Sequence, residues 1–203
     1  MMAEKAEIRH EHHGMSSKGF LDAGEVLRYI GINEGDRFLD LGCGDGHLSI
    51  AASQVVGKDG LVYAFDVDEE SIAQLQRDIA EKKITNIKAC VVDITKKLPL
   101  EDESISLAFM SNVLHGLVEN SEADSTLNEI ARVTQYNGKM AVVEFKKLES
   151  PMGPPLSIRL SPEDVETLAR GYGFSKESAQ EVGPHHYAII LRKRWVTTAQ
   201  SHN

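Results

Sequence analysis

Apolar residues in this chain alternate between short runs of the kind that fill buried strands and longer stretches at helical spacing, and this alternation predicts most of the architecture. Phe20, Ala23, Leu27 and Ile30 recur at helical spacing up to Gly31, and the turn formers Asn33-Glu34-Gly35-Asp36 follow. Residues 37–41 then read as a buried strand, with Leu48, Ala51, Ala52 and Val55 as the inner face of the helix behind it. The unit repeats: strand over 61–66, a helix face at Ile72, Leu75 and Ile79, and a β-branched strand over 87–92 that holds Cys90 and ends at Asp93. After a loop with Pro99 and Glu101-Asp102-Glu103 come a strand over 105–110, a helix marked by Leu127, Ile130, Ala131 and Val133, and a strand over 139–145.

The last third changes character. Residues 146–160 carry Pro151, Pro154 and Pro155 and read as an irregular connection. Ser161-Pro162-Glu163-Asp164 opens a helix with serine as cap, proline at the first position and acids facing the dipole, and this helix should end near Gly171 or Gly173. Strands over 175–182 and 187–193 are joined across Gly183-Pro184-His185-His186, a hairpin that would give the sheet an antiparallel edge. Strand–helix repetition with buried strands implies an α/β fold: a Rossmann-like, doubly wound, mostly parallel sheet of seven strands with helices on both faces. Residues 20–193 form its one domain, 1–19 a leader or lid, and 194–203 a polar tail.

Chemistry enters at Phe38-Leu39-Asp40-Leu41-Gly42-Cys43-Gly44-Asp45-Gly46, followed about twenty residues on by Phe65-Asp66-Val67-Asp68. An apolar strand running into alternate glycines lets the backbone turn tightly against a ligand, and an acid ending the next strand can accept from ribose hydroxyls. Dinucleotide enzymes space their glycines as G-x-G-x-x-G, whereas here they fall at 42, 44 and 46. This pattern, with Asp40 two places before the first glycine, resembles class I S-adenosylmethionine-dependent methyltransferases, and so does the terminal hairpin. Val142-Val143-Glu144-Phe145-Lys146-Lys147 is similar to the matching strand of quinone-biosynthesis C-methyltransferases, and Phe109-Met110-Ser111-Asn112-Val113-Leu114-His115 to the strand-four region of small-molecule members.

The resemblance implies S-adenosylmethionine as cofactor and S-adenosylhomocysteine as product. Its residues would be Asp40, Gly42, Cys43 and Gly44 in the loop, Asp66 on the ribose, Val67 beside the adenine, Asp93 accepting from the adenine amino group next to Ile94, and the backbone of Met110 and Ser111 toward the methionine ammonium. Transfer from a sulfonium needs mainly an aligned acceptor, so no dedicated nucleophile is required. A general base, where one is used, would be His115 or Glu144. His13, Met15, Phe20, Asn112, His185 and His186 are candidates for a substrate wall or a lid over the transfer step. The histidines of the leader and the hairpin turn read more simply as solvated side chains than as metal ligands, so no metal is expected.

Bulk properties narrow the partners. With 203 residues and 41% hydrophobic content the chain suits one compact core. Thirty-one acids against twenty-two bases give a formal charge of −9, which disfavours nucleic acid and points to a small-molecule substrate. No apolar run approaches the roughly 18 to 20 residues of a membrane span. Two cysteines make no disulfide framework, and a cytoplasmic setting is expected; oligomeric state is not legible. Three rivals stand beside this reading: a non-catalytic S-adenosylmethionine-binding sensor or partner subunit, a nicotinamide oxidoreductase, which the glycine spacing opposes, and an arsenite methyltransferase. The last is opposed by Cys43 and Cys90 being committed to the loop and the core.

Overall fold

A computed structural model describes residues 21–194. The leader and tail, with His13, Met15 and Phe20, lie outside the described residues. Seven strands form one sheet in the order β3-β2-β1-β4-β5-β7-β6. They are β1 (Arg37–Leu41), β2 (Leu61–Asp66), β3 (Ile87–Val91), β4 (Ile105–Ser111), β5 (Thr134–Phe145), β6 (Phe174–Val182) and β7 (His186–Lys193). The first five run parallel and β7 runs antiparallel to both β5 and β6. Six helices complete the layers: α1 (Ala23–Ile30), α2 (His47–Val56), α3 (Glu69–Glu81), α4 (Leu114–Glu119), α5 (Ala123–Val133) and α6 (Pro162–Arg170).

Period-two alternation on the strands divides the core into two apolar layers. Phe38, Val62, Ala64, Phe109, Ala141 and Val143 face α1 and α2, while Leu39, Phe65, Ala108, Met110, Met140 and Val142 face α4, α5 and α6. The caps follow from sequence. Gly31 ends α1 at φ 65°, and Ser161 with Asp164 closes a full capping box at α6, with Pro162 at its start.

Five expectations differ from the structure. The buried face of α2 is Leu48, Ser49, Ala52, Ser53 and Val56, with Ser49 donating to Asp40 and Ser53 back to the Ile50 carbonyl, and Val55 is 41% exposed. Cys90 is exposed rather than in the core, since β3 is an edge strand with one side poorly covered. His186 is not in the hairpin turn: it is the first residue of β7, pairs with Phe145 and is 1% exposed. Helix α4 follows β4 directly, a helix the apolar spacing does not predict. Strand β5 also begins earlier than its apolar run, at Thr134.

Candidate functional site

Strand order reverses between β1 and β4, and the crevice at their carboxyl ends is where ligands of open α/β sheets sit. On the β1 side the loop 42–46 is held by backbone bonds: the amides of Gly42 and Cys43 donate to the Phe65 carbonyl at 2.8 and 3.0 Å. Gly42 sits at φ 75°, and a Cβ there would lie 2.5 Å from Val113 Cγ2, so only glycine lets β1 and the β4 loop close on each other. Gly44 donates its amide to Asp66 Oδ2 at 2.8 Å, and Asp68 donates its own to Asp66 Oδ1 at 3.0 Å. Asp66 is therefore fixed beside the loop, with Val67 exposed next to it.

Asp40 lies under the loop, 2% exposed, and accepts from the Ser49 hydroxyl of α2 at 2.6 Å. Burial lifts its carboxyl from 3.8 to about 7, against the Ser49 bond, and the charge of Asp66 adds to the rise. Burial also pushes the Cys43 thiol up, with Asp40, Asp66 and Asp45 contributing through their charges. That acidic field suits a cationic ligand and opposes a pyrophosphate. Helix α2 follows Gly46, which offers no side-chain cap, and its first amide, that of His47, donates to Asp45 Oδ1 at 3.2 Å.

Residue pairing sets Met110 beside Leu41, so Ser111 comes next to the glycine loop. Ser111 Oγ and Asn112 Oδ1 are buried polar atoms without partners, and Asn112 is held at φ 58° while its amide donates to the Val143 carbonyl at 2.8 Å. Buried oxygens without partners are rare in folded proteins, and donors of a bound ligand would satisfy these two. Asp93 stands exposed beyond β3, its Oδ1 accepting from the Thr95 hydroxyl at 2.6 Å and amide at 2.9 Å, and the hydroxyl bond holds its carboxyl below the usual range. Ile94 is buried in the core.

Register carries Glu144 onto the face of Met140 and Val142, the side of the sheet that α4 covers. There its carboxylate, 1% exposed, accepts from the His115 amide at 3.1 Å and lies 2.8 Å from the ring Nδ1 of the same residue. The structure thus joins these two candidates, from two different elements, into one dyad. His185 and His186 flank the segment after β5: the His185 carbonyl accepts from the Lys146 amide at 2.8 Å, and the His186 ring lies tilted against Phe145 with centroids 4.0 Å apart and neither ring nitrogen partnered. Burial lowers the His186 imidazole to about 4, with His185, Arg159 and Lys146 adding their charges, so it is neutral. Among the described residues no cluster of three or more His, Cys, Asp or Glu could hold a metal ion.

One organising residue escaped the sequence reading. Arg159, 4% exposed, donates to the carbonyls of Lys146, Leu148, Met152 and Pro154 and lies over the Phe145 ring, winding the proline-bearing segment around its guanidinium. A cleft of about 670 Å³ runs along this segment between Glu149 and Arg159. Its 3₁₀ turn, Leu156–Ile158, packs against α4. Nothing in the spacing of the sequence announces an arginine in that role.

The fold, with its 3-2-1-4-5-7-6 sheet and acidic glycine loop, is that of the class I S-adenosylmethionine-dependent methyltransferases. Residues 32–180 match the methyltransferase domain model, and the chain belongs to that family. It is 32% identical over 132 residues to the ubiquinone/menaquinone biosynthesis C-methyltransferase of Chromobacterium violaceum, covering 64% of this chain and 51% of that protein. It is 30% identical over 126 residues to the 2-phytyl-1,4-naphtoquinone methyltransferase of Trichormus variabilis, covering 60% and 52%. The chain thus spans about half the length of the curated relatives it matches. A crystal structure of a SAM-dependent methyltransferase from Aquifex aeolicus superposes with a TM-score of 0.79 at 28% identity, covering 88% of this chain and 94% of that one.

Proposed function

We propose that this protein transfers a methyl group from S-adenosylmethionine to a small-molecule acceptor. The observation that carries the reading is the pair of unsatisfied buried oxygens, Ser111 Oγ and Asn112 Oδ1, set across the β1–β4 crevice from a glycine loop in an acidic field. The residues present fit the cofactor: Ser111 and Asn112 offer acceptors to an ammonium, Asp66 offers its carboxylate to the ribose, Val67 flanks the adenine, and Asp93 keeps Oδ2 for its amino group. The cofactor supplies a methyl carbon already activated by a sulfonium. What the protein must add is position and exclusion of water, and holding the reactants in line is worth up to about 7 to 11 kcal/mol.

The acceptor would enter beside α4, toward the cleft bounded by Arg159 and the segment after β5. Similarity to quinone-biosynthesis C-methyltransferases supports a small organic acceptor, and the formal charge of −9 argues against nucleic acid. No helix among the described residues is long and apolar enough to cross a membrane, and a cytoplasmic site of action agrees with that. The test is calorimetric titration with S-adenosylmethionine, followed by release of S-adenosylhomocysteine against metabolite extracts. Micromolar binding with extract-dependent release is expected. Binding without release from any extract would make the protein a sensor, and absence of binding would end the proposal.

A further inference from the structure

Among the parallel strands the alternation with helices breaks once, between β3 and β4, where residues 92–104 form no helix. Helices α2 and α3 pack on one face of β2 and β3, the face of Val62 and Ala64. On the other face this irregular connection leaves a groove of about 400 Å³, lined by Arg37, Tyr63, Lys88 and Cys90 and by Pro99 and Glu101 of the connection itself. The groove lies away from the β1–β4 crevice: Arg37 opens β1, whereas the glycine loop follows Leu41, about 13 Å along the strand. Register sets Lys88 beside Tyr63 and Cys90 beside Phe65, so these two exposed side chains of β3 border a buried aromatic floor.

Two cations converge on one ring there. Arg37 Cζ and Lys88 Nζ each lie 5.5 Å from the Tyr63 centroid. Arg37 also donates from Nη2 to the Tyr63 hydroxyl at 2.6 Å and from Nε to the Ser104 carbonyl at 2.7 Å, which leaves the rest of its N–H fork for another acceptor. Among the described residues neither cation forms an ion pair, with Glu101 or with any other carboxylate. In a chain of formal charge −9, two positive charges drawn to one ring without a carboxylate repel each other, and an anion between them would remove that cost. We propose that this groove is a second small-molecule site and that its ligand is an aromatic carboxylate. The flat body lies against the floor of Tyr63 and Phe65 and the wall of Pro99, and the carboxylate meets Arg37 and Lys88, whose planar fork and ammonium suit it. One negative charge fits better than two, because Glu101 already offsets one of the cations. The inference goes beyond methyl transfer and does not depend on it.

Calorimetry on the full chain with 2-naphthoate and its uncharged analogue 2-naphthamide tests the site, with neither S-adenosylmethionine nor turnover involved. Naphthoate should bind with a Kd of about 0.1–1 mM, the range for a ligand of this size. An exposed cation is worth about two- to fivefold, so naphthoate should bind about five- to twentyfold tighter than the amide at low salt, and that preference should vanish at about 1 M salt. Lys88→Gln should weaken naphthoate by about two- to fivefold and leave the amide unchanged, while Lys88→Arg should keep the preference. Lys88 is exposed, so an unchanged melting curve confirms the fold of both variants. Cys90 reports where the ligand sits: naphthoate at about ten times its Kd should slow alkylation of Cys90 by iodoacetamide by about tenfold, with Cys43 of the glycine loop unprotected. No binding of naphthoate, equal affinity for the amide, a Lys88→Gln protein that binds naphthoate as wild type does, or protection at Cys43 instead of Cys90 would each overturn the inference.

Discussion

Asp66→Asn separates the two duties that the Asp66 carboxylate would carry. Both oxygens accept from backbone amides, Oδ2 from Gly44 at 2.8 Å and Oδ1 from Asp68 at 3.0 Å. Asparagine offers one acceptor and one NH2, so whichever way its amide turns, a donor faces a donor. Losing one charge-assisted bond costs about 1.5–3 kcal/mol. With a urea slope of about 2 kcal/mol/M, the unfolding midpoint without ligand should fall by about 1 M. If the same carboxylate also grips the ribose hydroxyls, a second loss of similar size appears in binding, and calorimetric affinity for S-adenosylmethionine should weaken about ten- to a hundredfold. A lower midpoint with affinity unchanged within about twofold would make Asp66 a brace for the loop and remove the ribose assignment. No change in either quantity would refute the account of the loop itself.

Three other perturbations probe the frame around the site. Because burial holds Asp40 at about 7, folding takes up a proton in the window between the ordinary 3.8 and that value, and the wild type loses stability as pH rises through it. Asp40→Asn keeps an acceptor for Ser49 and should gain on wild type by up to about 4 kcal/mol from pH 4 to 7, then run parallel; urea titrations showing a constant gap would contradict this. His186→Leu removes two buried nitrogens without partners and should add about 1–2 kcal/mol at neutral pH, with the gain widening below about pH 6.5 as the unfolded chain takes the proton that the buried ring, lowered to about 4, refuses. A less stable variant would mean that those nitrogens are bonded in solution. Ser161→Ala breaks the capping box at α6, whose two bonds are 3.2 and 2.9 Å long, and should cost about 1 kcal/mol or about 2–4 °C in Tm by calorimetry; an unchanged Tm would show that the box does not form.

Legibility in the sequence tracked the range of the interactions. Strands β1, β2 and β4 could be read closely because their apolar runs are buried on both faces, and the α6 start because its cap is a local exchange between Ser161 and Asp164. Edges were harder. Strand β3 carries the same β-branched residues as a central strand, and only its place at the end of the sheet leaves Cys90 and Val91 exposed. On α2 the expected apolar stripe through Val55 gives way to a face that includes Ser49 and Ser53, whose hydroxyls find partners in Asp40 and the Ile50 carbonyl and can therefore be buried. A helix of six residues with no side-chain cap leaves almost no local trace, so α4 went unread. Arg159 is invisible for a different reason, since its partners are carbonyls and any residue supplies one.

His115 and Glu144 show how an unread element can conceal a site whose residues were both named. Twenty-nine residues separate them, and periodicity alone sets Glu144 on the face of Met140 and Val142. That face needs a cover at the carboxyl end of β5, because a carboxylate left there without donors would cost more than the strand could offset. Helix α4 provides it, and the short turn through Asn112 at φ 58° is what returns the chain from β4 in time to place the amide and ring of His115 over Glu144. The unusual backbone at Asn112 and the unpaired oxygens beside it therefore belong to one arrangement. The turn that leaves Ser111 Oγ and Asn112 Oδ1 without partners is the same turn that brings His115 to Glu144. A substitution that relaxes Asn112 should accordingly weaken S-adenosylmethionine binding and loosen the contact of the His115 ring with Glu144 together, read by calorimetry and by the His115 ring resonances, and a variant that changed only one of them would show that the two halves of the site are built independently.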